Sequence, residues 1–439
     1  MSDTTSSTSE GFDAFDLHPN IMRGICAASF KTPRPIQVDT IPAALDGRDI
    51  LGLAPTGTGK TAAFALPILD VLLEDPIAGP TALIIAPTRE LASQIDAEIR
   101  TLAKYTDVKT VTVFGGVSQR GQVAAIRRKP DIVVGCPGRI LDLMQQKLLR
   151  LDKVDMLVLD EADHMFDMGF LPDIKRILAQ LPTKRQNLLF SATMPAAIRK
   201  LANEVLSDPH VVELAGRGPA ETIEHALYPV SELRKRDLLD HLLGDKSYDS
   251  AIVFTRTKHR AKRLADQLTR SGHRAVGLQG NMSQGQRDRA MKGFREGNFD
   301  ILVATDIAAR GIDVSGISHV INFDVPNTPE TYTHRIGRTG RSGNEGRAFT
   351  FVTADDRDWI RATERMIGSA IRQEKVDGFE LGASDPSSRG GGRGSRSGGA
   401  RRHPAKNGRS SQSRSGRSGG GGRRSSGRSS GRARPSAAR

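Results

Sequence analysis

Along most of this chain, runs of three to five apolar residues alternate with longer stretches whose apolar positions recur at helical spacing. LIIA, MLVLD and ILVAT are apolar nearly throughout, the pattern of a strand covered on both faces. Such runs predict strands at 50–54, 82–86, 111–114, 132–134, 156–159 and 188–190, and a second group at 252–254, 275–278, 301–304, 320–323 and 348–352. Amphipathic stretches between them, such as HRAKRLADQLT at 259–269, predict helices. Strands alternating with helices build parallel sheets, so the expected class is α/β, with two tandem parallel-sheet domains.

Breaks in this pattern divide the chain. The segment AGRGPAETIEH is polar and punctuated by Gly and Pro, which predicts a linker at 215–232 between a first domain at 12–214 and a second at 233–377. Residues 1–11 predict a flexible leader. Residues 378–439 are mostly Gly, Ser and Arg; too little apolar surface is present to offset the entropy of ordering, so a disordered basic tail is expected.

Charge sharpens that division. The net charge is +14 over 439 residues, yet from Asp385 onward there are fourteen Arg and one Lys against one Asp, so residues 1–384 are neutral. A flexible cationic segment suits a polyanion, and if it neutralises five phosphates of a single strand, log K falls with log salt at a slope of about −3.5. Two cysteines, Cys26 and Cys136, exclude a disulfide scaffold and fit a reducing compartment. With no apolar span of membrane length and a polar, acidic start, a soluble cytoplasmic chain without a membrane partner is expected.

Candidate chemistry begins at APTGTGKT, residues 54–61, between a predicted strand and a predicted helix. Thr56, Gly57, Thr58 and Gly59 form a turn whose backbone N–H groups can close on phosphate oxygens, with the helix N-terminus reinforcing the attraction. Lys60 can reach the β- and γ-phosphates, and the Thr61 hydroxyl can hold Mg²⁺. Ala54 stands where the strict phosphate-loop pattern has Gly. One hundred residues on, MLVLDEAD ends a strand in Asp160, Glu161 and Asp163. Asp160 is placed to give the second Mg²⁺ support, and Glu161 to orient or deprotonate an attacking water. Together these motifs predict binding and hydrolysis of a nucleoside triphosphate.

The second half contributes arginines. HRIGRTGR spaces Arg335, Arg338 and Arg341 by three residues, near one helical face, where they can meet phosphate, nucleic-acid backbone or solvent. An arginine delivered onto the γ-phosphate makes hydrolysis depend on closure. ATDIAARGID offers Thr305, Asp306, Arg310 and Asp313 after a strand, without spacing alone assigning their roles.

Together these residues resemble the DEAD-box RNA helicase family, and most nearly its bacterial RhlE-like branch. The resemblance covers about 12–375 and rests on motifs in family order: Phe12 and FKTPRPIQ ending at Gln37, APTGTGKT, PTREL, Gly115–Gly116, PGR, DEAD, SAT, VFT, QGN with Gln284 and Arg287, ATDIAARGID and HRIGRTGR. It implies two RecA-like domains closing on ATP and Mg²⁺ on one side and RNA on the other. The activity implied is RNA-dependent ATP hydrolysis coupled to local unwinding of short duplexes and ribonucleoprotein remodelling. It implies that Gln37 reads adenine, Phe30 stacks on it and is buttressed by Phe12, Asp313 binds ribose, and Arg338 and Arg341 contact the γ-phosphate. Asp163, Ser191, Thr193 and His334 carry coupling. Thr88, Arg89, Gly116, Gly138, Arg139, Thr255, Gly280 and Thr305 line the RNA path, mostly at phosphates and sugars, so binding is largely sequence-independent. A monomer is expected, with ribosome or RNA-degradation assemblies as candidate partners.

Three positions depart from the family pattern. Cys136 stands where Thr is usual, and a thiol donates more weakly than a hydroxyl. Pro55 occupies a variable loop position. Ser29 replaces a common Gly, which matters only if that residue has positive φ. An ATP-gated RNA clamp and a strand-annealing chaperone acting through the tail remain alternative activities.

Overall fold

The structure, a computed structural model, describes residues 11–55, 57–214, 223–244, 248–309, 317–340, 346–376 and 379. The leader, apart from Gly11, and the expected tail, apart from Phe379, lie outside the described residues, as do Thr56, Arg310, Asp313 and Arg341. All the apolar runs form strands, and together with three others they build two seven-stranded parallel sheets.

The first sheet comprises β1 Ile50–Leu53, β2 Ala82–Ile85, β3 Thr110–Val113, β4 Ile132–Gly135, β5 Met156–Leu159, β6 Gln186–Ser191 and β7 His210–Glu213, in the order β3-β4-β2-β5-β6-β1-β7. The second comprises β8 Ile223–Pro229, β9 Ala251–Phe254, β10 Ala275–Leu278, β11 Ile301–Ala304, β12 His319–Asn322, β13 Gly346–Val352 and β14 Arg372–Gln373, in the order β10-β11-β9-β12-β13-β8-β14. Counted within each sheet the two orders are the same, so the chain is a doubled α/β unit. The RecA-like class holds for both halves.

Alternation along each strand feeds two cores. In β2, Ala82 and Ile84 join the cluster with Phe64, Ile95 and Phe190, while Leu83 and Ile85 join the opposite one with Ile140, Leu157 and Ile174. In the second sheet Ile252 and Phe254 face one cluster and Val253 the other. Both faces therefore demand apolar residues, which is why these strands read as continuous runs.

The expected linker at 215–232 needs correction. Within it, Ile223–Pro229 pairs with β13 along its whole length, from Ile223 against Gly346 to Pro229 against Val352. Its sequence, IEHALYP, interrupts the apolar pattern because Glu224 is exposed and His225 only half-buried, although Ile223, Ala226, Leu227 and Tyr228 are buried. The second lobe thus includes residues from 223. Strands β7 and β14, also unforeseen, are short sheet edges.

Candidate functional site

Apart from Phe12 and the segment ending at Gln37, which precede β1, the motifs of the first lobe lie at or just after the carboxyl ends of strands. The phosphate loop follows β1, Thr88 and Arg89 follow β2, Gly116 follows β3, Gly138 and Arg139 follow β4, Asp160–Asp163 follow β5, and Thr193 follows β6, whose last residue is Ser191. Thr255, Gly280 and Thr305 stand likewise after β9, β10 and β11. This is where open parallel sheets bind ligands.

A cavity of about 1020 Å³ gathers Phe30, Gln37, Gly57, Thr58, Gly59, Lys60, Thr61, Asp160 and Glu161. The helix Lys60–Glu74 starts from Gly59, whose φ of +95° suits glycine. A Cβ there would also lie 2.7 Å from Gln37 Nε2. That close approach lets Gln37 Nε2 donate to Gly59 O at 3.0 Å while Gln37 Oε1 accepts from Arg34 N at 2.8 Å. Each amide atom keeps one further hydrogen-bonding capacity. Arg34 Nη1 donates to Gly57 O at 2.6 Å, and Lys60 Nζ, buried, donates to Ala54 O at 2.8 Å. The Ala54 methyl is buried with Ile36, Ala63 and Val212, so the extra carbon is packed rather than strained.

Phe30 is fixed by a helix end. Ser29 N donates to Cys26 O at 3.0 Å and Phe30 N to Ile25 O at 3.2 Å, closing the helix Pro19–Ala27 in a Schellman motif. Its left-handed position falls on Ser29, φ +60°. The condition under which serine matters there is met. Phe12, buried, lies 6.2 Å from Phe30 between ring centroids.

Asp160, Glu161 and Asp163 are all buried. Glu161 adopts left-handed φ 51°, ψ 52°, a strain of order 1–3 kcal/mol for a non-glycine residue, with its N–H bonded to Asp160 Oδ1 at 2.9 Å. Burial pushes the Asp160 carboxyl up to about 6, with Lys60 opposing and Glu161 and Asp163 adding to the rise. Burial also acts to raise Glu161, but the His164 ring against it, together with Lys60 and Arg338, holds it well below the usual carboxylate range.

Asp163 links both sides. Its Oδ2 accepts from Thr193 N at 3.0 Å and Thr193 Oγ1 at 2.9 Å, and its N–H donates to Ser191 Oγ at 3.3 Å. From the second lobe, His334 Nε2 stands 3.7 Å from the same Oδ2. His334, on the helix Pro329–Ile336, meets His164 Nε2 through Nδ1 at 3.1 Å. His164 is a residue that motif reading missed, since it lies just past Asp163; its one signal was its position three residues after Glu161 on a helix.

Arg338 is buried near His334 and His164 rather than in the large cavity, with its charge acting on Glu161. Arg335 resolves differently from its open reading. Its guanidinium is bonded to Asp306 Oδ1 and Oδ2 at 2.5 and 2.7 Å, to Asn322 Oδ1 at 3.1 Å and to Asp324 O at 2.7 Å, which makes it a brace within the second lobe.

A second cleft, of about 540 Å³, brings Thr88, Arg89, Gly138 and Arg139 opposite Gly280, Met282 and Arg287. Gly116, Thr255 and Thr305 do not line it. Gly116, φ +73°, instead accommodates Arg89, whose Nη2 would lie 2.1 Å from a Cβ there. Arg89 Nη1 donates to Gln284 Oε1 at 3.0 Å, and Arg287 pairs with Glu90 at 2.7 Å. Arg139 Nη1 is buried without a partner among the described residues. The Cys136 thiol is pushed up to about 12 by burial and Glu90, against Arg89, so it is a neutral wall of the cleft; it makes no side-chain bond to the helix Pro137–Gln145 that it caps.

A phosphate loop in one RecA-like lobe, facing acidic residues that are tied to the other lobe, defines a two-lobed P-loop NTPase. Residues 34–201 match the model of the DEAD/DEAH box helicase family, and residues 234–343 that of the helicase conserved C-terminal domain. The DEAD-box ATP-dependent RNA helicase CshA of Bacillus subtilis strain 168 is 44% identical over 356 residues, spanning 81% of this chain and 72% of that protein. CshA of Listeria monocytogenes is 44% identical across 80% of this chain and 68% of its own length. Among solved structures, S. cerevisiae Dbp5 bound to RNA and ADP BeF3 is similar at TM-score 0.76 and 34% identity, over 84% of this chain and 96% of that one. Mss116p bound to ssRNA and AMP-PNP is similar at TM-score 0.76 and 28% identity, over 86% and 81%. This chain belongs to the DEAD-box ATP-dependent RNA helicase family.

Proposed function

We propose that this chain couples ATP hydrolysis to local separation of short RNA duplexes and to ribonucleoprotein remodelling, working as a monomer whose two lobes complete one site. The observation that carries the reading is Asp163. It bonds Thr193 within the first lobe and faces His334 of the second, so acidic motif, coupling motif and second lobe share one carboxylate. Phe30 and Gln37 hold the base, and Gly57–Lys60 the phosphates. Glu161 orients the attacking water while Arg338, with Arg341, faces the γ-phosphate. Asp313 takes the ribose.

Thr61 and Asp160 would hold Mg²⁺, which supplies charge neutralisation at the β- and γ-phosphate oxygens. The donor set fits: both residues line the cavity beside the phosphate loop, and Asp160 is raised by burial first and then by Glu161 and Asp163, a negative cluster that a cation would neutralise. No cage of three or more His, Cys, Asp or Glu occurs among the described residues, which suits an ion that keeps several waters.

RNA lies in the smaller cleft, where the unpartnered Arg139 nitrogen is suited to a phosphate oxygen. Two free cysteines, one of them exposed, accord with work in a reducing cytoplasm. No helix among the described residues is long and apolar enough to cross a membrane.

The test is steady-state ATP hydrolysis alone, with single-stranded RNA and with matched DNA, beside Glu161→Gln. RNA-specific stimulation that is abolished in the variant, followed by ATP-dependent unwinding, is the expected result. Hydrolysis that is equal in all three conditions, or absent, overturns it in favour of a clamp or an annealing chaperone.

A further inference from the structure

We propose that His164 is a positioning residue which bridges Glu161 to His334, so that the carboxylate orienting the attacking water is held in place through the second lobe. The inference rests on the role given to Glu161 above and deepens it.

The backbone creates the need for such a bridge. Glu161 stands at the N-terminal boundary of the helix Ala162–Asp167 in the left-handed region, and its side chain does not cap that helix. The His164 side chain, 2% exposed, reaches back one helical turn, and its Nδ1 lies 2.8 Å from Glu161 Oε2. Its other nitrogen, Nε2, lies 3.1 Å from His334 Nδ1, with the rings nearly perpendicular at 85° and 4.6 Å between centroids. One imidazole thus uses both nitrogens, one within its own lobe and one across to the other.

The hydrogen-bond roles follow from the chain of contacts. Two hydrogen bonds join Glu161 to His334 through His164, at 2.8 Å to Glu161 Oε2 and at 3.1 Å to His334 Nδ1, while His334 Nε2 stands 3.7 Å from Asp163 Oδ2, beyond hydrogen-bond distance. Burial and the neighbouring His164 ring hold His334 down to about 4, so His334 is neutral near pH 7. Its Nδ1 meets His164 Nε2, and its Nε2 points to the Asp163 carboxylate from 3.7 Å. His164 donates Nδ1–H to the Glu161 carboxylate, which can only accept, and its Nε2 shares one proton with His334 Nδ1. Removing His334 leaves His164 Nε2 without its partner, so the ring that holds the carboxylate is no longer fixed at both nitrogens. Glu161 is therefore oriented when the lobes meet, which ties hydrolysis to closure at a residue outside the motifs that touch nucleotide.

The experiment uses the full chain at saturating RNA and compares His164→Ala, His334→Ala and the double variant, with Glu161→Gln alongside. Loss of a charge-assisted hydrogen bond predicts a fall of about tenfold to a hundredfold in kcat for His164→Ala. KM for ATP, and the Kd for RNA with a non-hydrolysable ATP analogue, should stay within about threefold. Adding His334→Ala to His164→Ala should lower kcat by clearly less than His334→Ala lowers it alone, because the part of the His334 effect that runs through His164 is then already lost. His164→Asn, which places a donor near Nδ1, and His164→Gln, which places one near Nε2, should each recover only part of the rate. Additive effects of His164 and His334 overturn the bridge, as does wild-type kcat in a folded Asn or Gln variant, or RNA affinity falling in step with kcat. Turnover surviving in Glu161→Gln instead defeats the reading of Glu161; a dead Glu161→Gln with an additive pair defeats only the bridge.

Discussion

The ion pair between Glu90 and Arg287 makes a quantitative test of how the lobes hold together. Arg287, on the second lobe's helix Gln284–Arg295, places Nε 2.8 Å and Nη2 2.7 Å from Glu90 Oε1, and Nη2 also donates to Ala308 O at 3.2 Å. The side chains are only 12% and 15% exposed, so solvent screens the pair weakly, although desolvation offsets part of the attraction. A hydrogen bond to a charged group contributes about 1.5–3 kcal/mol net. We take about 2 kcal/mol as the bias toward the arrangement in which the lobes touch, which is about thirtyfold in an equilibrium constant. Because that contact sets Arg89 and Arg139 opposite Gly280, the bias should appear in RNA affinity. Glu90→Gln and Arg287→Gln should each raise the Kd for single-stranded RNA about tenfold to thirtyfold, read by fluorescence anisotropy with a non-hydrolysable ATP analogue. The double variant should be no weaker than the weaker single, giving a coupling near 2 kcal/mol. Singles whose effects add within about 0.5 kcal/mol would refute the reasoning.

Other positions give sharper, smaller effects. Ser29→Gly relieves a left-handed serine at the end of Pro19–Ala27 and should add about 0.5–1 kcal/mol of stability, seen as a higher Tm with KM for ATP within about twofold; a lower Tm contradicts it. Cys136→Thr supplies the missing cap to Pro137–Gln145 and should add about 1 kcal/mol in chemical denaturation, with tighter RNA binding; no gain in either means the hydroxyl is not aimed as argued. For His334, whose ordinary value of 6.5 falls to about 4 on folding, the unfolded chain binds more protons between those limits. Its contribution to stability is therefore present above pH 6.5 and lost as pH falls toward 4, with a slope of up to about 1.4 kcal/mol per pH unit. His334→Asn should flatten that part of the stability–pH curve, and an unchanged slope would count against the assignment.

The sequence announced elements whose environment is uniform and hid those whose environment is mixed. Strands β2, β5 and β11 feed a core on each face, so apolar composition alone reveals them. Strand β8 is next to an edge, paired with β13 on one side and only with Arg372–Gln373 on the other, and its exposed Glu224 breaks the run. Local chemistry was equally legible: the phosphate loop lies in one cavity with Asp160 and Glu161, because strand, turn and helix fix their geometry within a few residues. Long-range partners were not. Nothing in HRIGRTGR distinguishes Arg335, bound to Asp306 29 residues away, from Arg338, whose charge reaches Glu161. His164 was hidden for the same reason, since its partner His334 is 170 residues distant.

The repeated strand order explains why one architecture serves two ligands. In the first sheet, β3, β4 and β2 stand together on one side and β5, β6 and β1 on the other. The loops after the former carry Gly116, Arg139 and Arg89, assigned to RNA, and those after β1 and β5 carry Lys60 and Glu161, assigned to ATP. Strand β6, between β5 and β1, ends at Ser191, two residues before Thr193, and these bond Asp163 after β5. The second sheet repeats the division: β10, β11 and β9 lead into Gly280, Thr305 and Thr255, while the chain after β12 carries His334 and Arg338. Duplication of one unit therefore supplies two matching rims, and divergence is concentrated in the segments that leave the strand ends. A phosphate loop persists after β1, whereas the corresponding β8 runs through Pro229 and Val230 into the turn Glu232–Arg234. On the proposed assignment, with the cradle in one lobe and its histidine and arginine in the other, neither lobe completes the site. Hydrolysis would then report the meeting of the lobes, and RNA held across both rims would favour that meeting by its differential affinity for the closed arrangement.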